Sequence, residues 1–377
     1  MNFAFSEEQE ELRLTVRRFL AEKSSEADVR ALMETVAGYD PDVWRLAARQ
    51  LALPGLAVPE KFGGSGFGYA ELTVVFEEMG RALFCAPFFA TVALAANLLL
   101  SADDEVAKAD YLPGLASGDV IGTVALAEPS ARWDEAGVAL PAIATAAGWT
   151  LTGEKLFVLD GAIADLILVV ARTPAGVSVF AVQKNAPGLT VEPLATMDQT
   201  RKQARVLLRE TPARLVGTEG AGWAAVSRML DLAAAALAAE QVGGAQRVLE
   251  MAVDYAKTRV QFGKPIGSFQ AIKHKCADML LEVESARSAA YYAGFAADAA
   301  DVTDNAVDEL PVAASLAKAY CSEAYLHAAA ENIQIHGGIG FAWEHPAHLY
   351  FKRAKSSELL FGDPAYHREL LAQRIGI

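Results

Sequence analysis

Cysteine is scarce in this sequence. Three cysteines, Cys85, Cys276 and Cys321, lie far apart among 377 residues. Their number is odd and their spacing matches no zinc motif, so the sequence predicts neither a disulfide framework nor a zinc site. We expect small, buried, reduced side chains of the kind found in a reducing compartment.

Positive charge is also in short supply. Lys and Arg total 33 against 47 Asp and Glu, which leaves a net charge of −14. This balance disfavours a global attraction to nucleic acid or to an anionic membrane surface. An anionic ligand such as a nucleotide or CoA would have to bind through local cations and helix N-termini.

Long hydrophobic runs are missing as well. The segment from Met1 to Glu8 is acidic and lacks the apolar core of a signal peptide. The apolar run from Phe88 to Leu100 is shorter than the roughly 20 residues that span a bilayer. Hydrophobic residues nevertheless make up 53% of the chain, enough for a large core. We expect a soluble, cytoplasmic protein.

The chain does contain three regions of different periodicity. Residues 1–118 and 223–377 carry apolar residues at helical spacing. Between them, residues 119–222 hold short apolar or β-branched runs separated by Gly, Pro and Asn, as in a small antiparallel barrel or sandwich. The predicted class is α+β, mostly α. The sequence has no βαβ alternation and no Rossmann fingerprint, which disfavours a nicotinamide dehydrogenase.

Two polar, glycine-containing motifs follow long helical patterns. One runs from Arg259 to Gln270 and the other from Gln334 to Phe341. Alone, Arg-x-x-Phe-Gly is typical of a helix C-terminus, where a cation precedes a glycine stop. Both motifs in this order, with the three regions, resemble the acyl-CoA dehydrogenase family over essentially the whole chain. The resemblance implies an N-terminal helical domain, a middle antiparallel β-barrel and a C-terminal four-helix bundle.

The resemblance also implies FAD as the cofactor. A guanidinium suits the pyrophosphate oxygens, and glycines allow the backbone to approach closely. The glutamine and glycines of the second motif would contact the adenosine end from a neighbouring subunit, and His336 would pack against the glycine turn. The residues implied on the adenosine side are Arg259, Gln261, Phe262, Gln270, Gln334, Gly337 and Gly338.

The flavin side departs from the family pattern. Members usually read Thr-Glu-Pro in one segment and Lys-x-Trp-Ile-Thr in the next, and here Ala127 and Leu159 replace the two threonines. Neither can supply a hydroxyl hydrogen bond. Phe157 stands at the tryptophan position and can keep the stacking role, so we expect it to contact the flavin.

The implied reaction converts an acyl-CoA to a 2,3-enoyl-CoA. A carboxylate removes the α-proton, the β-hydride passes to flavin N5, and the electrons go to an electron-transferring flavoprotein. Where most members carry the glutamate, this chain has Gly362, and at the alternative position on the first bundle helix it has Ala233. The sequence therefore has no carboxylate at either of the two usual positions of the base.

Glu240 is the carboxylate that we predict to be the base. It follows Ala233 by nearly two helical turns and so faces the same way. Its neighbours are alanines, valine and glycine, a setting that raises a carboxyl pKa as a general base requires. The alternative is a helix carboxylate paired with a nearby cation or subunit, and Glu358 and Asp363 are weaker rivals.

Two functions follow from these residues. The first is a catalytic acyl-CoA dehydrogenase, as a homodimer, a homotetramer or an α2β2 heterotetramer with a paralogue. The second is a non-catalytic subunit that supports the FAD of such a heteromer. A flavin oxidase or monooxygenase on the same fold is a more distant third.

The run from Gly338 to Tyr350 resembles a bacterial branch that acts on CoA thioesters of steroid side chains or other bulky acids. We expect no metal site, because His345 and His348 flank Pro346 without a complete ligand set.

Overall fold

A computed structural model describes residues 6–146, 148–299 and 308–377. The chain forms two compact units, each built from separate stretches of sequence. The first comprises Met1–Val29, Tyr69–Phe84 and Ala234–Ile377, and the second comprises Arg30–Gly68 and Cys85–Ala233. The division into three domains at residues 118 and 222 stays a prediction.

The described residues contain eleven α-helices. Their bounds are α1 Glu7–Lys23, α2 Glu26–Met33, α3 Pro41–Arg49, α4 Tyr69–Arg81, α5 Asn97–Ser101, α6 Glu105–Ala116, α7 Gly222–Thr258, α8 Gln270–Ala299, α9 Leu310–His336, α10 Ala347–Leu359 and α11 Pro364–Ile375. A π-helix, Phe89–Ala96, leads directly into α5. The predicted α+β class, mostly α, is confirmed.

Nine strands lie within the same described ranges. They are β1 Gly122–Ala125, β2 Ala142–Thr145, β3 Gly148–Leu159, β4 Leu166–Thr173, β5 Gly176–Gln183, β6 Leu189–Pro193, β7 Gln203–Val216, β8 Val260–Gln261 and β9 Lys264–Pro265. The first seven form one sheet in the order β1-β4-β5-β7-β3-β2, with β6 paired to β7. All its pairs are antiparallel except β1 with β4, which is parallel.

Local sequence explains where the first helices begin. Ser6 caps α1: its Oγ accepts from the Gln9 N–H at 3.2 Å, and its own N–H donates to Gln9 Oε1 at 2.9 Å. Asp40 caps α3 by accepting from the Asp42 N–H at 2.7 Å, and Pro41 occupies the first helical position. Both caps satisfy N–H groups that a helix N-terminus leaves without partners.

One described helix, α7, is long and apolar enough by length and composition to cross a membrane. Of its most apolar window, 61% is buried inside the protein. A buried core helix meets the same criteria, and α7 is such a helix: Val242 and Val248 are fully buried.

In the first unit, α4 and α7 approach until their backbones touch. A Cβ at Gly80 would overlap the carbonyl oxygen of Glu240, and a Cβ at Gly243 would overlap the carbonyl oxygen of Glu77. Each helix therefore contributes one glycine to the crossing. Glu77 and Glu240 lie beside it, 3% and 5% exposed. A buried carboxylate needs a partner of opposite charge or several hydrogen bonds.

We predict that Gly243→Ala destabilises the first unit. The added methyl has no room beside the Glu77 carbonyl, so α4 and α7 must separate, and such overpacking costs about 2 kcal/mol. Urea denaturation of the apoprotein measures the change. Gly338→Ala is the matched control, because a Cβ there meets open space. Equal stability of the two variants would mean that the helices can separate freely.

Candidate functional site

The first predicted motif lies on a short hairpin that follows α7. Strands β8 and β9 pair through Gln261 and Lys264. The two residues between them, Phe262 and Gly263, have φ of +52° and +78°. Two successive positive φ angles give the tight turn that suits a two-residue hairpin loop. Glycine adopts this conformation readily, whereas phenylalanine is strained in it, and strain of this kind is typical of functional positions.

The hairpin presents its side chains outward. Phe262 is 90% exposed, and its ring meets that of Phe269 edge-on at 6.0 Å between centroids. The Lys264 ammonium lies 4.5 Å from the centre of the Phe269 ring and holds it from another side. Arg259 and Gln261 are exposed. Gln270, also exposed, begins α8.

The second motif forms the end of α9. Gln334 is exposed on the last turn, and the helix stops at Gly337, whose φ of +66° and ψ of −141° suit only glycine. A side chain added at Gly337 or at Gly338 would enter open space. The backbone is therefore accessible to a ligand at the point where the resemblance places the adenosine end of a cofactor.

A ring stack brings the two motifs together within this one chain. Tyr255, near the end of α7, stacks on His336 with ring centroids 4.3 Å apart and planes at 24°. His336 Nδ1 donates to the Asn332 carbonyl at 2.8 Å. Burial lowers the His336 pKa, so the ring is neutral near pH 7. His336 also packs on the glycine turn as expected, with its Cβ next to Gly340. Nothing in the sequence around Tyr255 predicts this contact.

These residues fit the adenosine and pyrophosphate half of FAD. An exposed guanidinium at Arg259 can bond phosphate oxygens. Open space at Gly263, Gly337 and Gly338 admits a ligand against the backbone. The described ranges contain no group of three or more His, Cys, Asp or Glu side chains that could hold a metal.

Phe157, the predicted flavin contact, lies on a bulge of β3. Pairing of β3 with β7 shifts between Lys155 and Val158. Phe157 has φ of +55° and is 45% exposed, while Ala127 and Leu159 are buried. Bulges re-aim side chains in this way at the edges of functional sites. Its contact with a flavin stays a prediction.

A buried ion pair supports that bulge. Lys155 Nζ lies 2.6 Å from Glu128 Oε1 and donates to the Leu126 carbonyl at 3.0 Å. Burial lowers the Lys155 pKa to about 8, although Glu128 opposes the shift. The Leu156 N–H donates to the Ala127 carbonyl at 2.9 Å. The two segments that depart from the family pattern are thus bound to each other even though both threonines are lost.

Glu240, the predicted base, is paired with a cation. Its Oε1 lies 3.0 Å from Arg353 Nη1, with side chains 7% and 3% exposed. Its backbone lies against Gly80 at the helix crossing. This is the alternative arrangement considered for Glu240, a carboxylate neutralised by a neighbouring cation. Arg353 could not be recognised from the sequence as that cation, because it stands on α10, far along the chain.

Gly362 occupies a closed turn. Its φ is +107°, and a Cβ there would lie 2.3 Å from the Tyr366 ring. Lys318 Nζ donates to the Gly362 carbonyl at 3.0 Å, and His367 Nε2 donates to the Phe361 carbonyl at 3.2 Å. Two buried donors therefore fix the turn, and the Tyr366 ring fills the space that a side chain at this position would take.

The two weaker candidate bases also have partners. The Glu358 carboxylate pairs with Lys355, and its backbone carbonyl accepts from Lys318 at 3.0 Å. Asp363 caps α11 by accepting from the Tyr366 N–H at 2.8 Å. Each carboxylate already serves the turn or the helix beside it.

Comparison with known proteins gives matches along nearly the whole chain. The family models described as the N-terminal, middle and C-terminal domains of acyl-CoA dehydrogenase match residues 6–119, 123–207 and 220–376. The protein "Acyl-CoA dehydrogenase IpdE2" of Mycolicibacterium smegmatis is 38% identical over 360 residues, which cover 95% of this chain and 96% of that protein.

Two solved structures are similar over their full length. A variant of the steroid acyl-CoA dehydrogenase Tcur3481–Tcur3483 is 32% identical, with a TM-score of 0.87 and 98% of both chains covered. The ChsE4–ChsE5 complex from Mycobacterium tuberculosis is 28% identical, with a TM-score of 0.88, and the match covers 100% of this chain and 99% of that one.

Lys318 generates a prediction about pH. Burial lowers its pKa from 10.5 to about 7. Between these values the unfolded chain binds more protons than the folded protein, so stability rises with pH, by up to about 1.4 kcal/mol per pH unit. We predict that Lys318→Met removes this rise.

Urea denaturation between about pH 7 and pH 9 measures that slope. Lys273→Met is the matched control, since Lys273 is an exposed lysine on α8, and it should keep the wild-type slope. A wild-type slope in Lys318→Met would contradict the prediction.

Proposed function

This chain belongs to the acyl-CoA dehydrogenase family, and from that premise we propose that it works as one subunit of a heteromeric acyl-CoA dehydrogenase. The enzyme that it helps to form is an FAD-dependent flavoprotein oxidoreductase. In the proposed assembly, Arg259, Gln261 and Gln334 bind the adenosine side of an FAD whose flavin ring and catalytic base lie on a paralogous subunit.

The reaction is the α,β-dehydrogenation of a CoA thioester. When bound, FAD supplies the hydride acceptor. The α-proton passes to a carboxylate of the partner, the product is a 2,3-enoyl-CoA, and the electrons leave to an electron-transferring flavoprotein. This chain's contribution is binding: a guanidinium and two amide side chains hold the cofactor without taking part in proton transfer.

One observation carries the proposal: Glu240 forms a buried ion pair with Arg353. A general base must reach the proton that it abstracts and must be free to accept it. At 5% exposure beside a helix crossing, Glu240 meets neither condition. Gly362, which stands where most family members carry the glutamate, is covered by the Tyr366 ring. The adenosine-side residues, in contrast, are exposed and unobstructed.

The similar structures support the heteromeric form and the substrate class. Tcur3481–Tcur3483 and ChsE4–ChsE5 each join two differently named chains, and the first is named a steroid acyl-CoA dehydrogenase. We therefore infer a bulky, steroid-derived acyl group as the substrate. A homomeric enzyme with Glu240 as its base is the second candidate, since Glu240 does follow Ala233 by nearly two turns of α7.

Expression with and without a partner tests the proposal. We predict that the chain purified alone is folded but colourless, and that co-expression with a paralogous acyl-CoA dehydrogenase subunit gives a yellow complex that oxidises steroid-type acyl-CoA. The flavin absorption spectrum and a panel of acyl-CoA thioesters are the measurements. Yellow protein that turns over acyl-CoA by itself would overturn the heteromeric proposal.

Glu240→Gln tests the role of the carboxylate. We predict that the flavin-bearing complex is still bleached by substrate at the wild-type rate, while stability falls by about 3 kcal/mol because Arg353 loses its buried counter-charge. Stopped-flow absorbance and urea denaturation give the two values. A loss of bleaching with FAD still bound would identify Glu240 as the base.

A second variant covers the case in which Glu240→Gln folds poorly. Glu240→Leu combined with Arg353→Met removes both charges, and replacing a buried pair by apolar residues is often neutral for stability. Bleaching should again be unchanged. If Glu240→Gln does not fold, failure of the double variant to react with FAD still bound would assign the base to Glu240.

A further inference from the structure

The stacked rings of Tyr255 and His336 join two cofactor-binding motifs that are far apart in sequence. We propose that Tyr255 and His336 are positioning residues, which hold Arg259 and Gln334 in the relative geometry that the adenosine and pyrophosphate half of FAD requires. The inference rests on the proposed function only in taking FAD's adenosine half as the ligand of these motifs.

Each ring belongs to a residue that lies within four positions of a cofactor-binding residue in the chain. The Arg259 N–H donates to the Tyr255 carbonyl at 2.8 Å, so the backbone of Arg259 moves with that of Tyr255. Gln334 precedes His336 by two residues, and the glycine turn begins directly after it. A change in the distance between the two rings therefore changes the distance between the two motifs.

The His336 ring is itself held in place. Its Nδ1 donates to the Asn332 carbonyl at 2.8 Å, one turn earlier in α9. The His345 ring lies 4.4 Å from the His336 ring between centroids. His345 Nδ1 in turn accepts from the Ala347 N–H at 3.2 Å, at the first residue of α10. The stack thus joins the ends of α7 and α9 to the start of α10.

The side chains that the stack supports have little other restraint. Arg259 and Gln334 are exposed, and the turn at Phe262 and Gly263 leads away from the helix end. Holding such groups in their binding geometry before the ligand arrives reduces the entropy lost on binding. A stacked aromatic pair contributes roughly threefold to tenfold to an equilibrium constant, and we expect an effect of that size on affinity.

Competition experiments on the flavin-bearing form separate positioning from plain packing. The form is the complex with the paralogous subunit, or the chain alone if it proves yellow alone. FAD binding to the apoprotein is followed by flavin fluorescence, with ADP and FMN as competitors. ADP carries the adenosine and pyrophosphate half, and FMN carries the flavin half.

We predict that Tyr255→Leu weakens ADP competition about threefold to tenfold and leaves FMN competition unchanged. Tyr255→Phe, which keeps the ring, should behave as wild type. His336→Gln opens the same stack from the other side, keeps a donor for the Asn332 carbonyl, and serves if Tyr255→Leu folds poorly. His348→Ala is the matched control, because it removes a stack of similar geometry, 4.8 Å and 22° from Trp343, that does not join the motifs.

Equal losses for ADP and FMN, or no loss for either, would overturn the positioning role and leave ordinary packing. So would failure of Tyr255→Phe to preserve ADP competition. These outcomes are independent of the co-expression experiment, which reports where the flavin ring is held. The heteromeric proposal can therefore fail while the positioning role stands, and the reverse also holds.

Discussion

Helices α4 and α7 touch through their backbones, because glycine stands at both points of contact. Gly80 lies against the carbonyl of Glu240, and Gly243 lies against the carbonyl of Glu77. Neither contact leaves space for a methyl group. Helices that approach this closely exclude water from the side chains beside the crossing, and here two of those side chains are glutamates. Cations from other helices of the first unit neutralise them.

The neutralising partners connect other helices to the crossing. Glu77 accepts from Arg13 on α1 at 2.8 Å and from Tyr291 on α8 at 2.7 Å, and it also pairs with Arg287. Burial alone would raise the Glu77 pKa, but Arg287 and Arg13 hold it below its usual value. Both carboxylates are thus paired with cations from other helices. Arg13 on α1 and Arg287 on α8 pair with Glu77, and Arg353 on α10 pairs with Glu240. Removing one member of such a pair leaves an uncompensated buried charge.

Features that depend on residues close together in the chain could be predicted from the sequence, whereas pairs formed between distant helices could not. The caps at Ser6 and Asp40 depend on residues within three positions, so the sequence alone is enough to locate them. Long helices and most strands were evident from the periodicity of apolar residues, which is a local pattern. β2 is not evident from the sequence, because three of its four residues are exposed and show no alternation. α6 is also hard to recognise, because it contains Pro113.

The candidate site divides in the same way. Glycine and arginine motifs are short and local, so the sequence could point to them. The partner of Glu240 and the donor to Gly362, namely Arg353 and Lys318, lie on other helices. An apolar sequence neighbourhood around Glu240 predicted a desolvated carboxylate. It could not reveal a guanidinium brought in by tertiary packing, and that guanidinium determines what the carboxylate can do.

Two of the three described phenylalanines with positive φ differ in what surrounds them. Phe361 and Phe262 both have positive φ, at +62° and +52°. Phe361 is buried, and His367 bonds its carbonyl, so contacts within the chain offset the strain. Phe262 is 90% exposed, and its contact with Phe269 covers little of the ring. Strained backbone persists where the surroundings stabilise it, and for Phe262 a cofactor and a second subunit would supply those surroundings. In the proposed assembly, the adenosine-side surface is therefore the part of this chain that a cofactor and a second subunit would complete.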